Sequence, residues 1–207
     1  MLPTMDALFI AELNERLFTH FTGGRWRVPL SQRHLPVHRA SGVRFGQIVC
    51  AEPPDVTRAL GDLAQAGTPA PGGAMAAALA ALAGPLAALR MEEGFDDARV
   101  PALIPDPPPG TGPVVLMTAA DMPLLRIGEV LIGLSGRGVI WKPAPRASAS
   151  AHLLMRHLGP MAAGRLALLQ GDHASGAALA AEAQGQLVWA SAAPLPSGLL
   201  SRARTLG

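Results

Sequence analysis

The sequence predicts an α/β protein: a doubly wound, mostly parallel sheet joined to an N-terminal helix and short antiparallel strands. Three observations predict it. First, residues 113–143 read as one strand–helix–strand unit. Residues 114–117 are a short continuous apolar run, as expected of a strand buried on both faces. Leu124, Ile127, Val130, Leu131 and Leu134 follow at helical spacing, and Gly136 stands just past the helix end. Residues 139–141 form a second buried strand, which Pro143 ends, and the crossover between the two strands should be right-handed. Second, the alternation continues, with a helix over 148–158, a strand over 165–169, a turn over 171–176, a helix over 177–183 and a strand over 187–190. Such alternation builds a parallel sheet covered by helices. Third, the 207 residues are 49% apolar and only 15% charged, which suits a core-rich globular chain and not a disordered one.

The preceding half is less regular. Met5, Phe9, Leu13 and Leu17 recur every four residues and predict an amphipathic helix over 6–20, with Thr4 as its N-cap. Gly23-Gly24 gives a turn. Short strands follow over 25–28, 35–39 and 45–50, with Ser41-Gly42 as a turn between the last two. Pro53-Pro54-Asp55 opens a helix over 53–66, because proline suits a first turn and aspartate its positive end. Residues 74–90 predict a buried, alanine-rich helix kinked at Pro85. Residues 95–112 are a proline-rich extended connector, and a short helix is expected over 197–205. The expected organisation is an N-terminal part, 1–112, packing on a core, 113–207, as one compact domain.

Several function classes are excluded. The net charge is +2, and the basic residues form no cluster with interleaved aromatics, so nucleic acid is not an expected partner. The one cysteine, Cys50, excludes an internal disulfide and fits a reducing compartment. Asp6, Glu12 and Glu15 interrupt the start of the chain, which therefore does not read as a signal peptide. The most apolar stretch, 74–89, is shorter than the roughly 18–20 residues that span a bilayer, so no membrane is expected. His34 with His38, placed in turn and strand, and His152 with His157 do not converge on a metal. Asp172-His173 beside Ser175 reads as turn chemistry, not as a hydrolase fragment. Glu92, Glu93, Asp96 and Asp97 read as a solvated acidic connector.

Several local strings, in order, resemble the N-terminal half of the aldehyde dehydrogenase superfamily. Phe21-Thr-Gly-Gly-Arg-Trp-Arg resembles its early Phe-x-Gly-Gly-x-Trp hairpin, and Pro54-Asp-Val-Thr-Arg-Ala-Leu its Glu-Asp-Val-x-x-Ala-Val helix start. Thr118-Ala-Ala-Asp-Met-Pro-Leu stands where the family has Thr-Pro-Trp-Asn-Phe-Pro-Leu. Ser135-Gly-Arg-Gly-Val-Ile-Trp-Lys-Pro-Ala-Pro is similar to Ala-Gly-Asn-x-Val-Val-x-Lys-Pro-x-Glu. Gly171-Asp-His-Ala-Ser-Gly-Ala-Ala-Leu resembles the glycine-rich turn and helix that follow, and Val188-Trp-Ala-Ser-Ala resembles Val-x-Phe-Thr-Gly-Ser.

The resemblance implies a dinucleotide-binding domain and, in the same terms, what this chain departs from. The family's nucleophilic cysteine and general-base glutamate lie beyond where the sequence stops. Cys50, in the early strands, is a small buried hydrophobe and no substitute. The family's oxyanion-stabilising asparagine becomes Asp121, whose carboxylate repels a developing alkoxide. On the cofactor side, Lys142 matches the family's ribose-contacting lysine and is the only lysine among 17 basic residues. Pro145 replaces the ribose-binding glutamate, and Arg146 beside it is a candidate for a 2′-phosphate. Ser191 replaces a turn glycine, and Pro194 and Pro196 remove amide donors. The candidate cofactor contacts are Lys142, Gly171 and Gly176, for NAD(P) bound weakly or not at all; no catalytic residue and no metal is expected. The expected role is a non-catalytic accessory or structural subunit in the cytoplasm, partnered by a second copy or a full-length aldehyde dehydrogenase. The other reading is an NAD(P)-binding component whose catalytic residues come from another chain.

Overall fold

The computed structural model describes residues 16–99, 110–182 and 186–191. Nine strands run β1 (Arg16–Phe18), β2 (His20–Thr22), β3 (Arg25–Arg27), β4 (His34–His38), β5 (Arg44–Val49), β6 (Val114–Thr118), β7 (Val139–Pro143), β8 (Leu166–Leu168) and β9 (Leu187–Ala190). Six helices accompany these described strands: α1 (Pro53–Ala64), α2 (Gly72–Ala81), α3 (Ala83–Glu93), α4 (Leu124–Leu134), α5 (Ser148–Met161) and α6 (His173–Glu182). The strands form a six-stranded sheet, order β3-β2-β8-β7-β6-β9, and a three-stranded sheet, order β1-β5-β4.

The expected unit over 113–143 is present. β6 and β7 pair in parallel from Val114↔Val139 to Thr118↔Pro143. All five residues of each strand are buried, because helices cover both faces of the sheet. Strand alternation divides their side chains. Val114, Leu116, Val139 and Trp141 join one core with Met75, Leu86, Leu131 and Leu154, from α2 to α5. Val115, Met117 and Ile140 join the opposite core with Val56 and Leu63 of α1 and Leu179 of α6. β8 and β9 continue the parallel pairing on either side. The β2–β3 hairpin adds antiparallel to β8 and sends Phe21 into the first core.

Four expectations need correction. The helix over 6–20 does not hold at its end: residues 16–18 and 20–22 are strands, while 6–15 lie outside the described residues. Phe18, Thr19, Phe21 and Thr22 suit a pleated surface, and parallel pairing of Arg16–Phe18 with β5 overrides the four-residue spacing. The helix over 74–90 is two helices, bent by 55° at Leu82 and not at Pro85. Pro85 has no amide to donate and would clash one turn back, so the helix restarts and places it in a first turn. This stretch is also less buried than expected: Met75 and Leu79 face the core, while Ala76, Ala77 and Ala80 face outward. Gly136 stands just past the end of α4, as expected, and the left-handed residue follows at Gly138, at φ 87°. Finally, α6 begins at His173, inside the expected turn, because the Asp172 carboxylate accepts the Ser175 amide at 3.1 Å and caps the helix.

Of the connector over 95–112, the described part forms a short 3-10 turn, Asp97–Arg99. The expected helix over 197–205, with Pro194 and Pro196, lies outside the described residues. Among the described residues no single helix is long and apolar enough to cross a membrane; α2 and α3 pass that test only as a bent pair.

Candidate functional site

The carboxyl ends of β6, β7, β8 and β9 share one edge of the sheet. β7 and β8 lie to one side of β6, and β9 to the other. The helices that follow divide likewise, with α4 and α5 on one face and α6 on the opposite one. Open α/β sheets bind ligands at this kind of reversal point, outside the carboxyl ends of the strands. Asp121, Lys142, Gly171 and Gly176 all fall on or just beyond this edge.

Lys142 is the penultimate residue of β7. Alternation turns its side chain toward α6, on the face of Ile140 and Met117. It is 8% exposed, and its Nζ donates one hydrogen bond, to the Pro143 carbonyl at 3.3 Å. A Cβ placed on Gly176 would lie 3.7 Å from Lys142 Cε and 3.8 Å from Met117 Sδ. Gly176 therefore flanks the lysine stem. Gly171 works differently, since a side chain there would collide with Ser175, whose Oγ donates to the Ala51 carbonyl at 2.7 Å. Its missing Cβ lets the turn close against α6. Burial lowers the Lys142 ammonium to about 8, against the raising influence of the Asp172 charge.

The electrostatics bring in three residues that spacing alone does not associate with this site: Arg33, Cys50 and Asp172. Burial pushes the Asp172 carboxyl up, but Arg33 and the Ser175 and Ala174 amides hold it below the ordinary carboxylate range. Cys50 follows β5 directly, is 1% exposed, and packs with Phe18, Val37, Phe45, Ile48 and Ala149. Burial and then the Asp172 charge raise its thiol, so it stays protonated. The sequence carries one signal of this cluster, the cap-forming Asp172 ahead of a helix. Nothing local announces Arg33, which meets Asp172 from 139 residues away.

Asp121 sits in the loop between β6 and α4, half-buried. Among the described residues no hydrogen bond or ion pair reaches its carboxylate. The carbonyls on either side of it are held. Arg90 Nη2 donates to Ala120 O at 2.7 Å and to Met122 O at 3.3 Å. Arg90 is fully buried. Its Nε donates to Asp97 at 2.8 Å and its Nη1 to Glu93 at 3.1 Å. Glu93 is 2% exposed, and its carboxylate accepts from the Ser150 amide at 2.9 Å and the Ser150 hydroxyl at 2.6 Å. Asp97 accepts the first amide of α4, from Leu124, at 2.8 Å. The expected solvated acidic connector is thus, at Glu93 and Asp97, a network tying α3, α4 and α5 together. The network is absent from the pattern because burying a carboxylate requires a partner that only the fold supplies. Burial raises the Glu93 carboxyl, opposed by Ser150 and Arg90.

Arg146 lies over the Phe95 ring, 4.9 Å from its centroid, and donates to the Glu93 carbonyl at 3.5 Å. Pro145 opens the 3-10 turn that carries it. His34 and His38 both lie on β4 and are exposed. His152 stacks on Trp26, with centroids 4.0 Å apart, and the His157 ring lies against the Leu153 carbonyl. Among the described residues no group of three or more His, Cys, Asp or Glu is placed to hold a metal ion. His20 is buried: its Nδ1 accepts from the Gln170 amide at 3.2 Å and its Nε2 stands 3.8 Å from Asp55.

The fold is similar to that of part of the solved aldehyde dehydrogenase structures. Among solved structures, the chain is similar to HpcC from Thermus thermophilus, with a TM-score of 0.61 and 20% identity, over 83% of this chain and 42% of that one. It is similar to Delta-pyrroline-5-carboxylate dehydrogenase from Mycobacterium tuberculosis bound with NAD and cobalamin, with a TM-score of 0.61 and 23% identity, over 83% and 42%. Mycobacterium tuberculosis aldehyde dehydrogenase complexed with NAD+ gives a TM-score of 0.58 and 19% identity, over 80% and 45%. The chain spans less than half the length of each, and at these identities the likeness is one of fold. No family model matches the chain, and no curated protein matches it in sequence.

Proposed function

We propose that this chain works as a pseudoenzyme subunit: an aldehyde-dehydrogenase-like scaffold without its own acyl-transfer chemistry, assembled in the cytoplasm with a second copy or with a full-length aldehyde dehydrogenase. One observation carries the reading. At the carboxyl edge of the sheet, the loop after β6 carries Asp121, while the sole cysteine, just past β5, is buried and protonated. A carboxylate at that position opposes an oxyanion, where a neutral donor would stabilise it. Acyl transfer also needs an accessible thiolate. Gel filtration and co-purification from the native host test the proposal. A defined oligomer or a co-eluting dehydrogenase is the expected result, and a strictly monomeric, partnerless chain sinks it.

The second reading, an NAD(P)-binding component of an oxidoreductase completed by another chain, draws on Lys142. The lysine stands at the carboxyl end of β7, with its stem beside Gly176. Structures of the same fold carry NAD. Arg146 gives NADP little support, because its guanidinium is engaged by Phe95 and the Glu93 carbonyl. Calorimetry with NAD and with NADP, on the wild type and on Lys142→Ala, decides this reading. Absence of heat, or equal binding by the variant, removes it.

A further inference from the structure

We propose that His20 is an acid-operated latch: a second proton on its ring releases the turn after β8 from the β2–β3 hairpin. The inference rests on neither assembly nor nucleotide binding.

The latch is a rung of the sheet made by a side chain. Among the described residues, β2 and β8 share one register pair, Phe21↔Leu168. Just past β8, the Gln170 amide donates to His20 Nδ1, at 3.2 Å, where a sheet ordinarily offers a backbone carbonyl. A carbonyl accepts at every pH, whereas an imidazole nitrogen accepts only while it carries no proton. The bond therefore fixes the neutral tautomer, with its hydrogen on Nε2. His20 is fully buried, and its Nε2 finds no hydrogen-bond partner among the described residues. α1, β3 and β8 pack against β2. α1 brings Asp55 and Arg58 to the ring, and β3 brings Arg27, the cross-strand neighbour of His20. β8 brings no charge. The Asp55 carboxylate stands 3.8 Å from Nε2, beyond hydrogen-bond range. It already accepts from the Leu30 amide, the Glu52 amide and Arg58 Nη2. Arg27 is held by Asp62. An imidazolium here would meet a second cation and an anion already engaged. Burial lowers the ring to about 4, with the Asp55 charge opposing and Arg58 adding to the effect.

The second proton enters at Nδ1, where it points at the Gln170 N–H. Two donors then face each other across the 3.2 Å of the former bond, and the rung opens. Gln170 passes the release on. Its carbonyl accepts the Ala51 amide at 2.8 Å, and its side-chain Nε2 donates to the Ser148 carbonyl at 3.3 Å. Gly171 follows, packed closely against Ser175, and then Asp172, whose carboxylate caps α6 and meets Arg33. Acid thus loosens the turn that carries Gly171 and Asp172 at the carboxyl edge. The pairs of β6 with β7 and β9 use backbone acceptors and do not respond. The folded value lies below the ordinary 6.5, so the rung is whole above that pH and opens progressively as pH falls toward 4.

Amide hydrogen exchange on the full folded chain, followed residue by residue by NMR, tests the proposal. Protection is taken relative to an unstructured peptide at the same pH. The expected result is that Gln170 protection falls roughly a hundredfold between pH 7 and pH 4. The fall should be nearly independent of low urea, the mark of local opening. The Val139 amide, which donates to the Arg165 carbonyl at 2.8 Å, should be better protected at every pH and should depend steeply on urea. In His20→Gln, whose side-chain oxygen accepts at any pH, Gln170 protection should stay level. Should that variant fail to fold, the wild-type urea dependence still decides. Gln170 protection that does not change with pH, that falls equally in His20→Gln, or that matches Val139 in size and urea dependence overturns the proposal and leaves His20 a buried structural side chain.

Discussion

The molecule buries two long cations on opposite faces of one sheet and treats them oppositely. Arg90, among α3, α4 and α5, spends its guanidinium on two carboxylates and two carbonyls. Lys142, facing α6, has one long hydrogen bond to its own neighbour. The saturated cation has no valence left for a ligand, and its removal leaves Glu93 buried without its charge partner. The unsaturated one has few partners to lose and so contributes little to the fold. Burial by itself therefore does not measure a charge's part in holding the fold; the count of satisfied donors does.

The contrast breaks most sharply at Arg90. Arg90→Met should cost about 3–5 kcal/mol, the range for orphaning a buried charge partner, measured by urea unfolding. Adding Glu93→Gln to that variant should restore part of the loss. Acid gives the next effect. His20 is held neutral, lowered from 6.5 to about 4 first by burial and then by Arg58, against the Asp55 charge. Because the folded state resists protonation, its contribution is whole above pH 6.5 and erodes as pH falls from 6.5 to 4. The loss is roughly 3 kcal/mol by linkage. A stability–pH curve on His20→Gln should be flatter across that window, and an unchanged slope would show that His20 does not drive it. Asp97→Ala, which removes one Arg90 partner and the acceptor for the first amide of α4, should cost about 2 kcal/mol. The smallest effect belongs to Lys142→Met, within about 1 kcal/mol of wild type, since an apolar residue of similar length replaces an underpaired cation. A loss as large as that of Arg90→Met would refute the contrast.

What the sequence disclosed follows the same division. Strands buried on both faces announce themselves by uninterrupted apolar runs, so β6 and β7 lie where residues 114–117 and 139–141 place them. Cys50, read as a buried hydrophobe, is one. Asp121, Lys142 and Gly171 could be placed at strand ends because they follow those runs directly. The pairing of β1 with β5 is non-local, so nothing in the neighbouring residues marks 16–18 as a strand. Glu93 and Asp97 read as surface charge because their partner Arg90 is unmarked as buried by its neighbours. Alanine misled in the other direction: Ala76, Ala77 and Ala80 are apolar enough to look internal and small enough to sit in water.

The grip of Arg90 on the carbonyls of Ala120 and Met122 also has a kinetic meaning. A connection between strand and helix ordinarily opens by itself, on its own timescale. Here the turn carrying Asp121 is moored at both shoulders to a charge in the interior, and the Ala119 amide is tied to Ala190 on β9. Swinging it aside requires α3, α4 and α5 to loosen together. Its amides should therefore exchange with solvent at the pace of the core, making this the slowest of the turns along the carboxyl edge of the sheet.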